Sequence, residues 1–378
     1  MSTRASASVS APLTRLLHAA IARDHGWLPF DRFMATALYA PGLGYYANAS
    51  VKFGLLPQSG SDFVTAPELS PLFGRALARQ VAQALTACES GEVWEFGAGS
   101  GALAAQLLGA LGDQVTRYTI VDLSGVLRER QRERLATFGG KVRWVDALPD
   151  VMNGVIVGNE VLDAMPVRLL HFDGTDWAER GVIVQDPSEG KGEAGRFAWR
   201  DRPTALRPPF DGPFAPDTVT EIHPQAEAFI ATLAERMTRG AAFFIDYGFP
   251  EAEYYHPQRV GGTLMCHRAH LADTDPLVDV GLKDITAHVN FTGIALAAQN
   301  AGLQVLGYTT QAHFLINCGM LDDLAGADVK TIAHTQKLLT EHEMGELFKV
   351  IAFATGNCAP GFAAAPLGFS NGDRTHTL

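Results

Sequence analysis

The stretch Val93-Trp94-Glu95-Phe96-Gly97-Ala98-Gly99-Ser100-Gly101 decides the fold. Its short apolar run reads as a buried strand, and the alternating glycines close a tight turn after it. Directly behind follows Ala102-Leu103-Ala104-Ala105-Gln106-Leu107-Leu108, built from strong helix formers. Strand, glycine turn and helix make the first half of a nucleotide-binding βαβ unit, in which a ligand lies against bare backbone. The next apolar run, Tyr118-Thr119-Ile120-Val121, ends in Asp122, at the place where an acid grips ribose hydroxyls.

The glycines alone do not choose the ligand, because Gly97-x-Gly99-x-x-Ala102 also satisfies a loose dinucleotide fingerprint. Glu95 chooses. An acid two residues before the first glycine sits badly beside a pyrophosphate and well beside the cationic amino acid end of S-adenosylmethionine. The pattern therefore favours a methyltransferase over a nicotinamide-dependent oxidoreductase.

Composition narrows the field further. The chain has 378 residues, 47% hydrophobic and 19% charged, enough for one large α/β domain with additions or for two domains. A net charge of −11 disfavours long nucleic acids. The run Arg128-Glu129-Arg130-Gln131-Arg132-Glu133-Arg134 reads as a solvated helix face with internal ion pairs. Cys88, Cys266, Cys318 and Cys358 are scattered, which suggests neither a disulfide framework nor a zinc site, and no metal is expected. No apolar run has the length of a membrane span. Arg4, Arg15, His18 and Arg23 precede the first acid, Asp24, in the manner of a mitochondrial presequence. A frayed tail leading into an amphipathic helix over residues 13–23 accounts for them better, so a cytoplasmic location is expected ahead of the mitochondrial matrix.

Along the chain, residues 1–88 read as an N-terminal helical segment that contributes to the cofactor pocket. In it, Thr65-Ala66-Pro67-Glu68-Leu69-Ser70-Pro71 leads into a helix over 72–85. Residues 89–358 alternate strand and helix as a doubly wound α/β sheet does. Strands over 93–96, 117–121, 142–145, 154–157 and 241–245 are followed by Gly97, Asp122, Asp146, Gly158-Asn159-Glu160 and Asp246. Ligands of such sheets lie outside the carboxyl ends of the strands, and neighbouring acids there repel one another, so stability does not explain them. Two insertions interrupt the pattern, at about 167–216, a mainly antiparallel subdomain with an Asp173-Gly174 hairpin turn, and at about 250–290, read as loops near the site. Residues 292–300 read as a helix, 304–310 as a strand, later residues as helices, and 359–378 as a mobile Gly/Ala/Pro-rich tail.

These residues resemble the MidA-like class I methyltransferases, a family that includes a mitochondrial protein arginine methyltransferase assisting complex I assembly. The resemblance runs from Pro41 to about Met320. It is carried by Pro41-Gly42-Leu43-Gly44-Tyr45-Tyr46, by residues 60–74 with Thr65-Ala66-Pro67-Glu68-Leu69-Ser70, by the 95–101 turn, by Gly158-Asn159-Glu160-Val161-Leu162-Asp163-Ala164-Met165-Pro166-Val167, by Ile245-Asp246-Tyr247-Gly248 and by residues 284–291. It implies a Rossmann-like methyltransferase sheet with S-adenosylmethionine as cofactor. Gly97, Ala98, Gly99 and Gly101 would line its methionine and ribose, Asp122 with Leu123 would hold the ribose, and Asp146 with Ala147 would flank the adenine. Thr65, Pro67, Glu68 and Ser70 would complete the pocket. Two departures stand out: Asp122 is shorter than the Glu usual there, and Asn290 stands where the family tends to have Asp.

Methyl transfer from a sulfonium is an in-line displacement, so the protein mainly aligns donor and acceptor. A guanidinium acceptor is a cation, and facing carboxylates would bind it, which makes Glu160 and Asp163 the candidate pair. Asn159 would bind the cofactor's amino acid end or orient Glu160. Tyr247 and His288 would take a proton or position the acceptor, with a structural histidine as the alternative for His288. Tyr45 and Tyr46 read as packing residues. No Asn-Pro-Pro-Tyr sequence follows the fourth strand, which argues against nucleobases. Protein arginine is the expected substrate, and the alternatives are another side chain or small molecule, or an assembly factor of a respiratory complex that binds the cofactor with little catalysis. The sequence leaves the oligomeric state open, a homodimer included.

Overall fold

The computed structural model describes residues 2–48, 64–122, 124–185, 195–268, 270–362 and 365–378. At its centre, among the described residues, lies one mixed sheet of eight strands, the short Val289–Asn290 and β1 (Glu92–Phe96), β2 (Arg117–Val121), β3 (Val142–Val145), β4 (Met152–Asn159), β5 (Met237–Phe249), β6 (Gln304–Thr310) and β7 (Phe348–Ala354). Their spatial order is β3-β2-β1-β4-β5-β7-β6. The run from β3 to β5 is parallel, and β7 lies antiparallel between β5 and β6. The order reverses on either side of β1 and β4, and that is where such sheets open a ligand crevice.

Alternation along the strands feeds two apolar layers, as a sheet covered by helices on both faces requires. On β5, Ala241, Phe243 and Ile245 join the core under the Pro71–Ala87 and Ala102–Leu111 helices. Ala242 and Phe244 join the opposite core under Pro224–Arg236 and Phe291–Asn300. Register then aligns the strand tips: Phe96 pairs with Val121 and Gly158, Val121 with Val145, and Asn159 with Ile245. Glu95, Asp122, Asp146, Glu160 and Asp246 therefore gather along one edge.

A third core joins the N-terminal helices to the insertions. Leu13, Leu17, Phe30, Phe33 and Met34 pack with Leu169, Val182 and Ile285. The expected hairpin is present, Arg168–Phe172 pairing with Trp177–Val184 inside a five-stranded antiparallel sheet.

Several expectations are corrected. The segments over 262–270 and 284–291 contain strands as well as loops: Met265–Arg268 pairs antiparallel with Leu271–Asp273 and Asp284–Thr286. The stretch read as late helices includes β7, which is buried at every position. The first helix begins at Ser2, where a frayed tail was expected. The C-terminal tail is not loose: Phe362 and Phe369 enter the first core, and Asn317 donates to the Gly368 and Asn371 carbonyls. Cys88, at the end of the Pro71–Ala87 helix, forms a disulfide with Cys358 after β7, a pairing across 270 residues that spacing did not reveal. Among the described residues no helix is long and apolar enough to cross a membrane.

Candidate active site

A cavity of about 1270 Å³ opens over the aligned strand tips. At one end it is walled by the 97–100 turn, Asp122, Asp146 and Ala147. Gly97 and Gly99 both have positive φ, +63° and +53°, so the turn is closed in a conformation that side chains resist. At the other end stand Glu160, Asp163, Tyr247, Asp284, Thr286 and His288, together with Tyr39 and Tyr46 from the N-terminal segment. No lysine or arginine lines this cavity among the described residues.

The acids are held by specific partners. Tyr118 donates to Glu95 Oε2 at 2.7 Å, and burial pushes the Glu95 carboxyl up to about 8. Glu160 sits at a positive φ of 54°, uncommon for a side chain with a Cβ. Asn159 Nδ2 donates to its Oε1 at 3.0 Å and the Ala66 N–H donates as well, yet burial first, and then Asp163, raise its carboxyl to about 8. Burial also raises Asp163, against a hydrogen bond from Tyr247. Asp246 Oδ2 accepts the backbone N–H groups of Val161, Leu162 and Asp163 at 3.0, 2.8 and 3.2 Å, fixing the turn that carries both candidate acids. His288 is pushed down to about 4 by burial and by Arg259, so its imidazole is neutral. Its ring stacks on Phe249 and meets Tyr247 edge-on.

Comparison with known proteins places this geometry. A family model described as "Putative S-adenosyl-L-methionine-dependent methyltransferase" matches residues 76–309. The chain belongs to that methyltransferase family. A crystal structure of a COG1565 superfamily member from Burkholderia thailandensis, bound to S-adenosyl-homocysteine, is 50% identical and superposes with a TM-score of 0.92, covering 100% of this chain and 99% of that one. Among curated relatives, the mitochondrial protein arginine methyltransferase NDUFAF7 of Danio rerio is 29% identical over 330 residues, 78% of this chain and 74% of its own. The Homo sapiens protein of the same name is 27% identical over 87% of this chain and 80% of its own.

S-adenosylmethionine is the cofactor of this methyltransferase, and the residues present fit it. Asn159 lines the cavity with Oδ1 buried and without a protein partner, an acceptor suited to the cofactor's amino group. The glycine turn leaves backbone exposed beside it, and Asp122 offers a carboxylate toward a ribose.

Most of the expected site residues of the methyltransferase line this cavity: Thr65, Pro67, Glu95, Gly97, Ala98, Gly99, Asp122, Asp146, Ala147, Asn159, Glu160, Asp163, Tyr247 and His288. Leu123 lies outside the described residues. Three others stand behind the wall. Glu68 accepts from the Ser100 hydroxyl and from Arg134 at 2.9 Å, so it braces the glycine turn. Ser70 caps the Pro71–Ala87 helix through the Leu72 N–H and hydrogen bonds with Thr335 at 2.8 Å. Gly101 is the N-cap of the Ala102–Leu111 helix and packs on Gln131.

Sequence reasoning missed four residues. Asp246 was quoted in a motif without a role. Tyr46, read as packing, hydrogen bonds to Asp284, and Asp284 itself went unassigned. Gln131, read as part of a solvated face, is fully buried. Its neutrality inside a run of charges was the one available signal.

Proposed function

We propose that this chain transfers the methyl group of S-adenosylmethionine to the guanidinium of an arginine in a protein substrate. The carrying observation is the acidic lining of the chamber beyond the glycine turn: Glu160, Asp163 and Asp284 line it, and no lysine or arginine opposes them among the described residues. Such a chamber repels anionic acceptors and suits a multi-donor cation. The mitochondrial relatives named as protein arginine methyltransferases point the same way.

S-adenosylmethionine, when bound, supplies an electrophilic methyl group on a sulfonium. Glu160 and Asp163 bind the acceptor cation, whose arrival favours their ionised forms. The acceptor nitrogen sheds a proton when methylated, and Glu160, once ionised beside the acceptor cation, would receive it. Tyr247, hydrogen bonded to Asp163, and neutral His288 shape the opposite wall. The N-terminal segment contributes Tyr39, Tyr46, Thr65 and Pro67 to the cavity lining.

The test uses a donor with a labelled methyl group, a lysate as acceptor source, and acid hydrolysis of the labelled protein. Label in methylarginine with the wild type and its loss with Glu160→Gln supports the reading. Label in another amino acid or in small molecules replaces the substrate, and equal labelling by both proteins removes Glu160 from the chemistry.

A further inference from the structure

Two sequence blocks find no place in the cofactor half of the cavity: the 41–46 turn and the 284–291 segment. They meet in the acceptor half. The Tyr46 hydroxyl donates to both carboxylate oxygens of Asp284, at 2.8 Å each, although the residues are 238 apart. The Ile285 N–H donates to Asp284 Oδ1 at 2.9 Å, and the side chain is 4% exposed. Tyr39 stacks on Tyr46 with centroids 5.6 Å apart and donates to the Ala164 carbonyl at 2.8 Å. The Ala287 N–H donates to the Asp163 carbonyl at 2.9 Å, tying the Asp284 segment to the turn that carries Asp163. These bonds fix Asp284 beside the turn that follows β4, near enough for its charge to be felt at Glu160 and Tyr39.

A cluster of acids alone marks nothing. Here, however, Asp163 is 5% exposed, lines the cavity, and keeps Oδ1 buried without a protein partner. A buried acceptor left open in a chamber that no described lysine or arginine lines calls for a donor from outside the chain.

We propose that Asp284, locked by the Tyr46 hydroxyl, is a specificity-determining residue: the third carboxylate of the acceptor chamber, which selects a guanidinium over a simple ammonium. The assignment rests on the arginine reading above and narrows it. An ammonium is a compact charge whose three donors radiate from one atom. A guanidinium spreads five N–H donors around a planar fork. Carboxylates supplied by two segments, Glu160 and Asp163 from the turn after β4 and Asp284 from the Asp284–Thr286 strand, can share the edges of the fork. A point charge engages fewer of these oxygens at once, and so forgoes a charge-assisted hydrogen bond that the fork makes.

The experiment uses the full-length protein and three adenosine probes carrying the same 5′-alkyl chain, ended by a guanidine, a primary ammonium or an uncharged urea. Wild type should bind the guanidine probe about tenfold or more tighter than the ammonium probe, as one charge-assisted hydrogen bond allows. Asp284→Asn and Tyr46→Phe should bring that ratio close to one while S-adenosylhomocysteine affinity stays at the wild-type value, which shows a folded cofactor half. Asp284→Glu should restore part of the preference. If wild type prefers guanidine and Asp284→Asn keeps the preference, the role of Asp284 is overturned and the arginine reading stands. If wild type binds guanidine and ammonium alike, the arginine reading itself fails, and this assignment with it.

Discussion

The side-chain amide of Gln131 donates to the Asp122 carboxylate at 2.8 Å. The same nitrogen donates to the Gly99 carbonyl at 2.9 Å, and Trp144 donates to Gln131 Oε1 at 2.9 Å. One buried amide thus links Asp122, at the tip of β2, to the glycine turn after β1. Gln131→Ala should weaken S-adenosylhomocysteine binding by about 1–2 kcal/mol, roughly 5- to 30-fold, because it frees both partners. Isothermal calorimetry reads this directly. An unchanged affinity would show that Asp122 and the turn hold their places unaided.

Burial of acids makes the protein pH-sensitive in a defined direction. Glu95 and Glu160 have folded carboxyls near 8, well above the ordinary carboxylate range. A raised folded value means that the native state holds the proton more tightly, so stability falls as pH climbs from about 4.5 to about 8. The melting temperature of wild type should therefore drop across this window, and that of Glu160→Gln should drop less. A cationic donor favours ionised Glu160, so S-adenosylmethionine should gain on S-adenosylhomocysteine in affinity as pH rises through the same range. Parallel pH curves for the two ligands would mean that Glu160 does not sense the sulfonium.

Asp246 gathers three backbone N–H groups of the 161–163 turn on one oxygen. Asp246→Ala leaves those donors buried without an acceptor, a cost of about 1–3 kcal/mol per lost partner. Methyl transfer should fall at least about 100-fold, since Glu160 and Asp163 lose their placement, while affinity for S-adenosylhomocysteine changes little. Asp246→Asn keeps an accepting oxygen and should recover much of the rate. Equal loss in both variants would point to a role for the charge itself.

The cofactor half of the site was legible because its signals are local. Glu95, the glycines and Asp122 lie within one βαβ unit, where a strand, a turn and the next strand tip follow in order. The acceptor half depends on contacts between distant segments, and no spacing reports them: Tyr46 with Asp284, and Asp246 with the turn after β4. Strand β7 escaped because its residues are buried on both faces, so neither the strand nor the helix period is written in it. Gln131 escaped because the Arg/Glu pattern around it describes the outer face of a helix whose inner face it occupies. Glu68 and Ser70 stand behind the cavity lining, and sequence cannot tell a side chain that lines a wall from one that props it from behind.

The Cys88–Cys358 disulfide joins the end of the Pro71–Ala87 helix to the residues after β7, within the core beneath the sheet and outside the cavity lining. It closes a long loop, so cutting it enlarges the unfolded ensemble more than it changes the native fold. Cys358→Ser should lower stability by about 2–4 kcal/mol, seen as a lower denaturant midpoint, and reductant should shift wild type to the same value. Affinity for S-adenosylhomocysteine should stay within about twofold in both cases, because no atom of the bridge borders the site. A midpoint insensitive to both treatments would show that packing of Cys88 and Cys358 as buried thiols suffices to hold these elements together.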